Sequence, residues 1–265
     1  MIKKRLAPAL LSVLIAGLAS AQESNRLLIP AAGDVPGANG THFRSDISIT
    51  NLRDVDQMVM LTWIPRAGSG SPVSGRGILI PARATVQSDN FVTEFLGERG
   101  LGSIEIEAIG SSVPRATDAA GRLYATSRIW TRQPNSAGTV SQSLPAVPYT
   151  EIVHEHTRFT GHRTGPQFRT NLGIVNLLND VTQNYAVTVT GSVQTFEPLV
   201  FFVEVPPLSM QQVPIDWPED PKLVVDVQAL RQPNGGFGTL WMAYLSTVDN
   251  ITGDSWSTTG VELEP

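Results

Sequence analysis

Cysteine is absent from all 265 residues. That excludes disulfides, thiol nucleophiles and thiolate metal sites, so stability must come from apolar packing alone. Lysine is scarce as well. Beyond Lys3 and Lys4 only Lys222 occurs, and arginine supplies every other cation. Apart from the N-terminal stretch, no run approaches the roughly 20 apolar residues that a membrane-spanning helix needs. Gly-x-Ser-x-Gly, Ser-x-x-Lys, P-loop and His-Glu-x-x-His patterns are missing. Familiar hydrolase and nucleotide chemistry therefore has no sequence marker here. A Ser-His-Asp site would be defined by geometry and not by order, and four histidines leave it open.

What the chain does have begins at its N-terminus. Lys3, Lys4 and Arg5 precede a run from Leu6 to Leu18 that is apolar but for Pro8, Ser12 and Gly17, and Ala19, Ser20 and Ala21 follow. A basic start, a short apolar core and small residues before a cleavage point form the layout of a secretory signal peptide. Cleavage is expected after Ala21. No cysteine follows to take a lipid anchor. Removal of residues 1–21 takes away three cations and no acid, moving the formal charge from −5 to −8. An acidic chain without a basic block is a poor match for nucleic acid or anionic lipid.

The chain then reads as one unit written twice. Residues 43–52 (FRSDISITNL) stand 125 positions before residues 168–177 (FRTNLGIVNL), with five identities. Later matches keep the same order. Gln57, Val59, Leu61 and Trp63 match Gln183, Tyr185, Val187 and Val189 after one inserted residue. Ile78, Ile80, Pro81 and Gln87 match Val203, Val205, Pro206 and Gln212. Ile104 and Ile106 pair with Val225 and Val227, and Leu123 and Tyr124 with Leu240 and Trp241. Collinear matches indicate an internal duplication.

Each copy reads as β. Phe43, Ile47 and Ile49 alternate with Arg44, Asp46, Ser48 and Thr50, a period of two with one buried face. Val187-Thr188-Val189-Thr190 adds β-branched residues. Glycine and proline clusters separate the strands. A helical period occurs only at Phe91-Val92 with Phe95-Leu96, capped by Asp89 or Asn90 and stopped by Gly97. Pro218 and Pro221 oppose an equivalent helix in the second copy. The expectation is an all-β protein: two tandem immunoglobulin-like antiparallel β-sandwich domains of about seven strands each. The signal peptide covers 1–21, the first sandwich 22–147 and the second 148–265, with strands at 27–30 and 150–158 opening the copies.

In its two Phe-Arg windows, in Ser143 to Val147 and in Val248 to Asp254, the chain resembles a family of exported bacterial tandem β-sandwich proteins. The resemblance covers most of the chain after residue 21. It implies a bacterial envelope or extracellular setting and an immunoglobulin-like architecture, and it carries no catalytic residues with it.

Several residues are candidates for function. Phe43 and Phe168 point inward by alternation and are expected in the core. Arg44 with Asp46, and Arg169 with Asn171, share outward faces and could form a recognition surface used twice; an arginine laid over neighbouring strands is the plainer account. Asn51 and Asn176 end their strands as Asx turns. His154 and His156 share one strand face, and His162 could return from a turn as a third nitrogen, the layout of a zinc site. Asp249, Asn250 and Asp254 around Gly253 offer oxygens to calcium, although a hairpin turn uses the same letters. Trp63 and Trp241 lie in apolar alternation. Trp130 and Trp256 lie in more polar strands and could stack on sugars. Glu105 and Glu107 share a face as surface acids.

Together these observations favour a non-catalytic exported protein of the bacterial envelope or extracellular space, binding or structural, adhesion included. Its partner would be an envelope or extracellular protein or a glycan, with no cofactor required beyond a candidate calcium or zinc ion. A carbohydrate-binding module and a metal-dependent hydrolase built on the histidines are the alternatives.

Overall fold

A computed structural model describes residues 24–37, 40–109, 121–133, 137–152, 155–191, 197–218, 220–231 and 240–263. Residues 1–21, where a signal peptide is expected, and His154 lie outside the described residues. The structure is all-β, with a short helical turn at Val92–Leu96 and a 3-10 turn at Tyr149–Glu151 among the described residues. The first half contains β1 (Arg26–Pro36), β2 (His42–Asn51), β3 (Gln57–Pro65), β4 (Ser74–Ile80) and β5 (Thr85–Ser88). It continues with β6 (Gly100–Ala108), β7 (Leu123–Arg132), β8 (Thr139–Ser143) and β9 (Val147–Pro148). The second half contains β10 (His156–Thr164), β11 (Phe168–Asn176), β12 (Gln183–Gly191), β13 (Leu199–Val205) and β14 (Ser209–Ile215). After these come β15 (Asp220–Ala229), β16 (Trp241–Asp249), β17 (Ser255–Thr259) and β18 (Val261–Glu262).

Among the described residues the strands pair antiparallel, a single parallel bridge joins Arg66 to Met210, and the order of pairings recurs. In the first half β4-β3-β6-β1, with β9 on β1, run on through the β1–β2 pairing into β2-β7-β8, with β5 on β2, as one continuous sheet. In the second half β13-β12-β15-β10-β18 face β14-β11-β16-β17. Two-residue alternation drives this. Val59, Leu61 and Trp63 of β3, and Val187, Val189 and Tyr185 of β12, point inward and are fully buried. Trp63 lies opposite Ile104, and Val189 opposite Val225, as the matched sequences anticipate. One match shifts by a residue: Asn51 faces Leu123 and Asn176 faces Trp241, so Leu123 corresponds to Trp241 and not to Leu240. Strand parity decides it, because Leu123 and Trp241 are the inward, fully buried residues.

Two further expectations change. Among the described residues each half has nine strands, because short edge strands such as β5, β9 and β18 carry little apolar signal. The strand expected at 150–158 begins at His156, after the turn Tyr149–Glu151.

A buried asparagine fastens each half. Asn51 Nδ2 donates to the carbonyls of Val55 (2.8 Å), Ile80 (3.0 Å) and Pro81 (3.0 Å), and its Oδ1 accepts from Arg53 N (2.9 Å) and from Gln57 Nε2. Asn176 Nδ2 donates to Val181 (2.8 Å), Val205 (3.0 Å) and Pro206 (3.1 Å), and its Oδ1 accepts from Leu178 N (3.0 Å). Each asparagine ends a strand of one layer and holds the last carbonyls of a strand in the other.

Besides one apolar core in each half, a third lies between them. Leu28, Ala31, Ile64, Leu144 and Val147 of the first half meet Val175, Met210, Met242 and Tyr244 of the second. This is why β1 and β16 are buried almost continuously instead of alternately. Gly173 provides the flat seat for Tyr244, since a Cβ there would lie 2.0 Å from the ring. At the rim Arg26 Nε donates to Glu105 (2.5 Å), Tyr149 Oη donates to the same carboxylate (2.8 Å), and the Arg26 guanidinium stacks 3.9 Å from the Tyr149 ring centre. Glu105 is therefore a buried, paired acid and not the surface acid expected from alternation. The seam of β8 with β16 and β17 adds bonds from Ser246 Oγ to Gln142 (2.9 Å) and from Ser257 Oγ to the Ser143 carbonyl (2.5 Å).

Asn51→Ala and Asn176→Ala each strand one buried and two partly buried carbonyls, and each should lower unfolding free energy by about 2–3 kcal/mol. Urea denaturation measures the loss, and a change under about 0.5 kcal/mol, the usual range for a surface substitution, would contradict it. Gly173→Ala should cost about 1–3 kcal/mol by overpacking the seam, read from the same denaturation curves.

Candidate functional site

The tight turn from β10 to β11 and the turn from β16 to β17 meet at one end of the second half. They enclose a pocket of about 510 Å³ lined by Gly161, Arg163, Gln167, Phe168, Asp249, Asp254 and Trp256. Three of the sequence candidates, Asp249, Asp254 and Trp256, converge here. Trp256 on β17 is half-buried. Its ring stands 6.1 Å from Phe168, edge to face, and 6.1 Å from His162, roughly parallel. Its Nε1 donates to the Gly161 carbonyl (3.3 Å). Phe168, expected in the core, instead lies half-buried on the pocket wall, with the Arg163 guanidinium 5.4 Å from its ring centre. Phe43, also expected in the core, is half-buried too and packs on Gly37. Both phenylalanines open their strands, beyond the point where the facing layer covers the inner face.

Gly161 determines what His162 does. Its φ of +82° makes a one-residue bulge in β10. Before the bulge Thr157 and Phe159 point inward; after it the parity flips, and His162 and Thr164 do. His162 is fully buried. Its Nδ1 lies 2.8 Å from Thr247 Oγ1 and its Nε2 2.8 Å from Thr258 Oγ1. Thr170 Oγ1 donates to the Arg163 carbonyl (2.5 Å) and lies 2.6 Å from Thr247 Oγ1. The chain of donors has one direction. Thr170 gives its proton to the carbonyl, so Thr247 donates to Thr170 and must accept from His162. Nδ1 therefore carries the proton, and Nε2 accepts from Thr258. The imidazole is held neutral, and burial lowers its pKa to about 4. A base that weak, flanked by hydroxyls and no carboxylate, is a structural link and not catalytic machinery.

The zinc arrangement does not assemble from the described histidines. His156 lies on the opposite face of β10 from His162, and its Nε2 is 3.4 Å from Asp226. Arg158 already holds that carboxylate through two bonds, 2.7 and 2.9 Å. The expected return of His162 from a turn fails because β10 runs on through its bulge. Among the described residues no group of three or more histidine, aspartate or glutamate side chains is placed to hold a metal ion.

At the calcium candidate the oxygens face donors. Asp249 Oδ1 accepts from the Ile251 (2.8 Å) and Thr252 (3.2 Å) backbone N–H groups, and Oδ2 accepts from Gln167 Nε2 (2.9 Å). The Ile251 N–H above all, then the Gln167 amide, hold the Asp249 carboxyl below its ordinary pKa. Asn250 Nδ2 donates to the Pro166 carbonyl (3.3 Å), and Asp254 Oδ1 accepts from Ser255 N (3.0 Å). These are the bonds of an Asx turn.

The paired recognition faces are not alike. Arg44 lies across from Trp130 on β7, with its guanidinium 5.8 Å from the indole centre, and Asp46 takes a bond from Arg128 Nη2 (2.8 Å). Trp130 is buried under this cover and donates Nε1 to the Asp89 carbonyl (2.9 Å), so it offers no free ring. Arg169 is exposed and Asn171 half-buried on β11. Sequence reasoning missed Arg163, Gln167 and Phe168 as pocket residues. The tight Gly165-Pro166-Gln167 turn, which brings β11 back against β10, was the available signal. The chain matches no protein-family model, and no curated protein matches it.

Because His162 is neutral when folded, its contribution is intact above about pH 6.5 and is lost as pH falls toward about 4. Over that window the protein should lose up to roughly 3 kcal/mol of stability. Urea unfolding at successive pH values should show this slope flattened in His162→Gln. An unchanged slope in the variant would refute the assignment.

Proposed function

We propose that the chain is a duplicated, non-catalytic binding protein, exported to the bacterial envelope or the extracellular space, that presents the Trp256 pocket to its ligand. Duplication is supported by the recurring order of pairings and by the two asparagine fasteners, which hold equivalent carbonyls 125 residues apart. Antiparallel strands facing across an apolar core, in two sheets in the second half and one continuous sheet in the first, support the immunoglobulin-like reading. Export rests on the N-terminal sequence, and the absence of cysteine is compatible with it.

The observation that carries a binding role is the convergence in one pocket of an aromatic pair, Trp256 and Phe168, with Arg163, Asp254 and Gln167. Against catalysis stand the uses already made of the chemical groups. His162 gives both nitrogens to threonines, Asp249 caps its own turn, and Glu105 is held by Arg26 and Tyr149.

Within this reading a glycan fits the pocket better than an apolar ligand. A half-exposed indole offers a stacking face, while guanidinium, carboxylate and amide groups around it match the hydroxyls of a sugar. Glycan-array screening of the chain should give at least one saccharide hit. Trp256→Ala should reduce its affinity by tenfold or more, while Trp130→Ala, whose ring is already covered, should leave it unchanged. Equal losses in both variants, or none, would remove the pocket as the binding site.

A further inference from the structure

The two halves differ most at the seam between their layers. In the first half the helical turn Val92–Leu96 lies over the seam of β4 and β5. Phe91 and Val92 are buried there, and the Phe91 and Phe95 rings stack at 4.4 Å. Three polar side chains hold the turn down. Ser74 Oγ donates to Glu98 (2.7 Å), Arg76 Nη1 to the Phe95 carbonyl (2.6 Å) and Ser88 Oγ to Glu94 (2.5 Å). Gly97, at φ +72°, ends it.

The offset of 125 residues carries these three positions onto Leu199, Phe201 and Val213. The structure supports that alignment, since it also pairs Arg83 (φ +57°) with Leu208 (φ +41°), two non-glycine residues with left-handed backbone. In the second half all three fasteners are apolar. They pack partly on the core and line an open cleft of about 520 Å³ between the edge strands β13 and β14. Trp217 fills the core place of Val92, and then Pro218 follows where the first half continues as a helix. The lip of the cleft is apolar as well: Phe202, one of its lining residues, is 68% exposed. The seat is present, its polar fasteners have become apolar, and the turn that covers it in the first half has no counterpart among the described residues.

We infer that this cleft receives a short amphipathic helix from a partner protein. The inference rests on the duplication reading, because the first half shows what such a seam accommodates: two large apolar side chains four positions apart on one helical face. Glu204 and Asp216, both exposed, stand at the rim and favour a partner helix with lysine or arginine on its flanks. A second copy of this chain is a poor occupant. The chain is acidic like the rim, and its own aromatic turn is already docked in the first half.

The probe is a helix-stapled peptide with two phenylalanines four positions apart and lysines on the remaining faces, titrated into the full chain by fluorescence anisotropy. Saturable binding is expected. Val213→Ser and, separately, Phe201→Ser should each weaken it about tenfold, and a peptide with both phenylalanines replaced by alanine should bind as weakly. Circular dichroism and thermal melting identify a variant that has lost its fold, in which case the other decides. Three outcomes would overturn the proposal: no saturable binding to the wild-type chain; equal binding by a proline-interrupted, extended peptide, which would indicate strand addition along β13; or self-association on sedimentation that Phe202→Ser abolishes. If Asn51→Ala and Asn176→Ala show matched losses while the peptide fails to bind, the duplication reading stands and only the cleft assignment falls.

Discussion

The constraint on which everything else hangs is that a sheet's last carbonyls must be satisfied where the strand turns away from its layer. Asn51 and Asn176 meet it from inside the protein. Each is a side-chain amide fully withdrawn from water, and each spends its nitrogen on three carbonyls at the point where one layer hands the chain to the other. Buried polar groups are tolerated only when paired, and here the pairing fixes the distance between layers. The cores behind Trp63 and Tyr185, the seam beside β13 and the turns at the sandwich ends all inherit that spacing.

Much of this could be read from the letters. Two-residue alternation placed Ile47, Ile49, Leu61, Val187 and Val225 inward, and the matched windows anticipated most of the registers. Three things were harder to read. Parity arguments hold only along an unbroken strand, and the single residue Gly161 reversed them for His162. Alternation also assumes that the outer face is wet, which fails in β1 and β16 because a second half covers them; the runs at 27–32 and 241–245 carried that signal as continuous apolar sequence. Finally, turn letters such as those at 249–254 serve a cation or a hairpin equally well, and only the directions of the N–H groups separate the two.

The candidate site was legible in pieces. Trp256, Asp249 and Asp254 attracted attention for different reasons, sugar stacking for one and calcium for the others, and the fold brings them to a single pocket. Arg163, Gln167 and Phe168 complete it from the β10–β11 turn, which no residue pattern ties to the β16–β17 turn 80-odd positions later. Trp130 shows the converse. Its polar strand suggested exposure, yet Arg44 of the adjacent strand β2 covers it.

The layer of contacts between the halves bears on the order in which the chain is made. Leu28, Ala31 and Ile64 are synthesised before Met210, Met242 and Tyr244, which shield them and come only after the whole first half. Until the C-terminal strands arrive, the leading half has a greasy flank and no companion. The sticky interval is as long as the wait for β16, and a chain truncated before that strand would never end it.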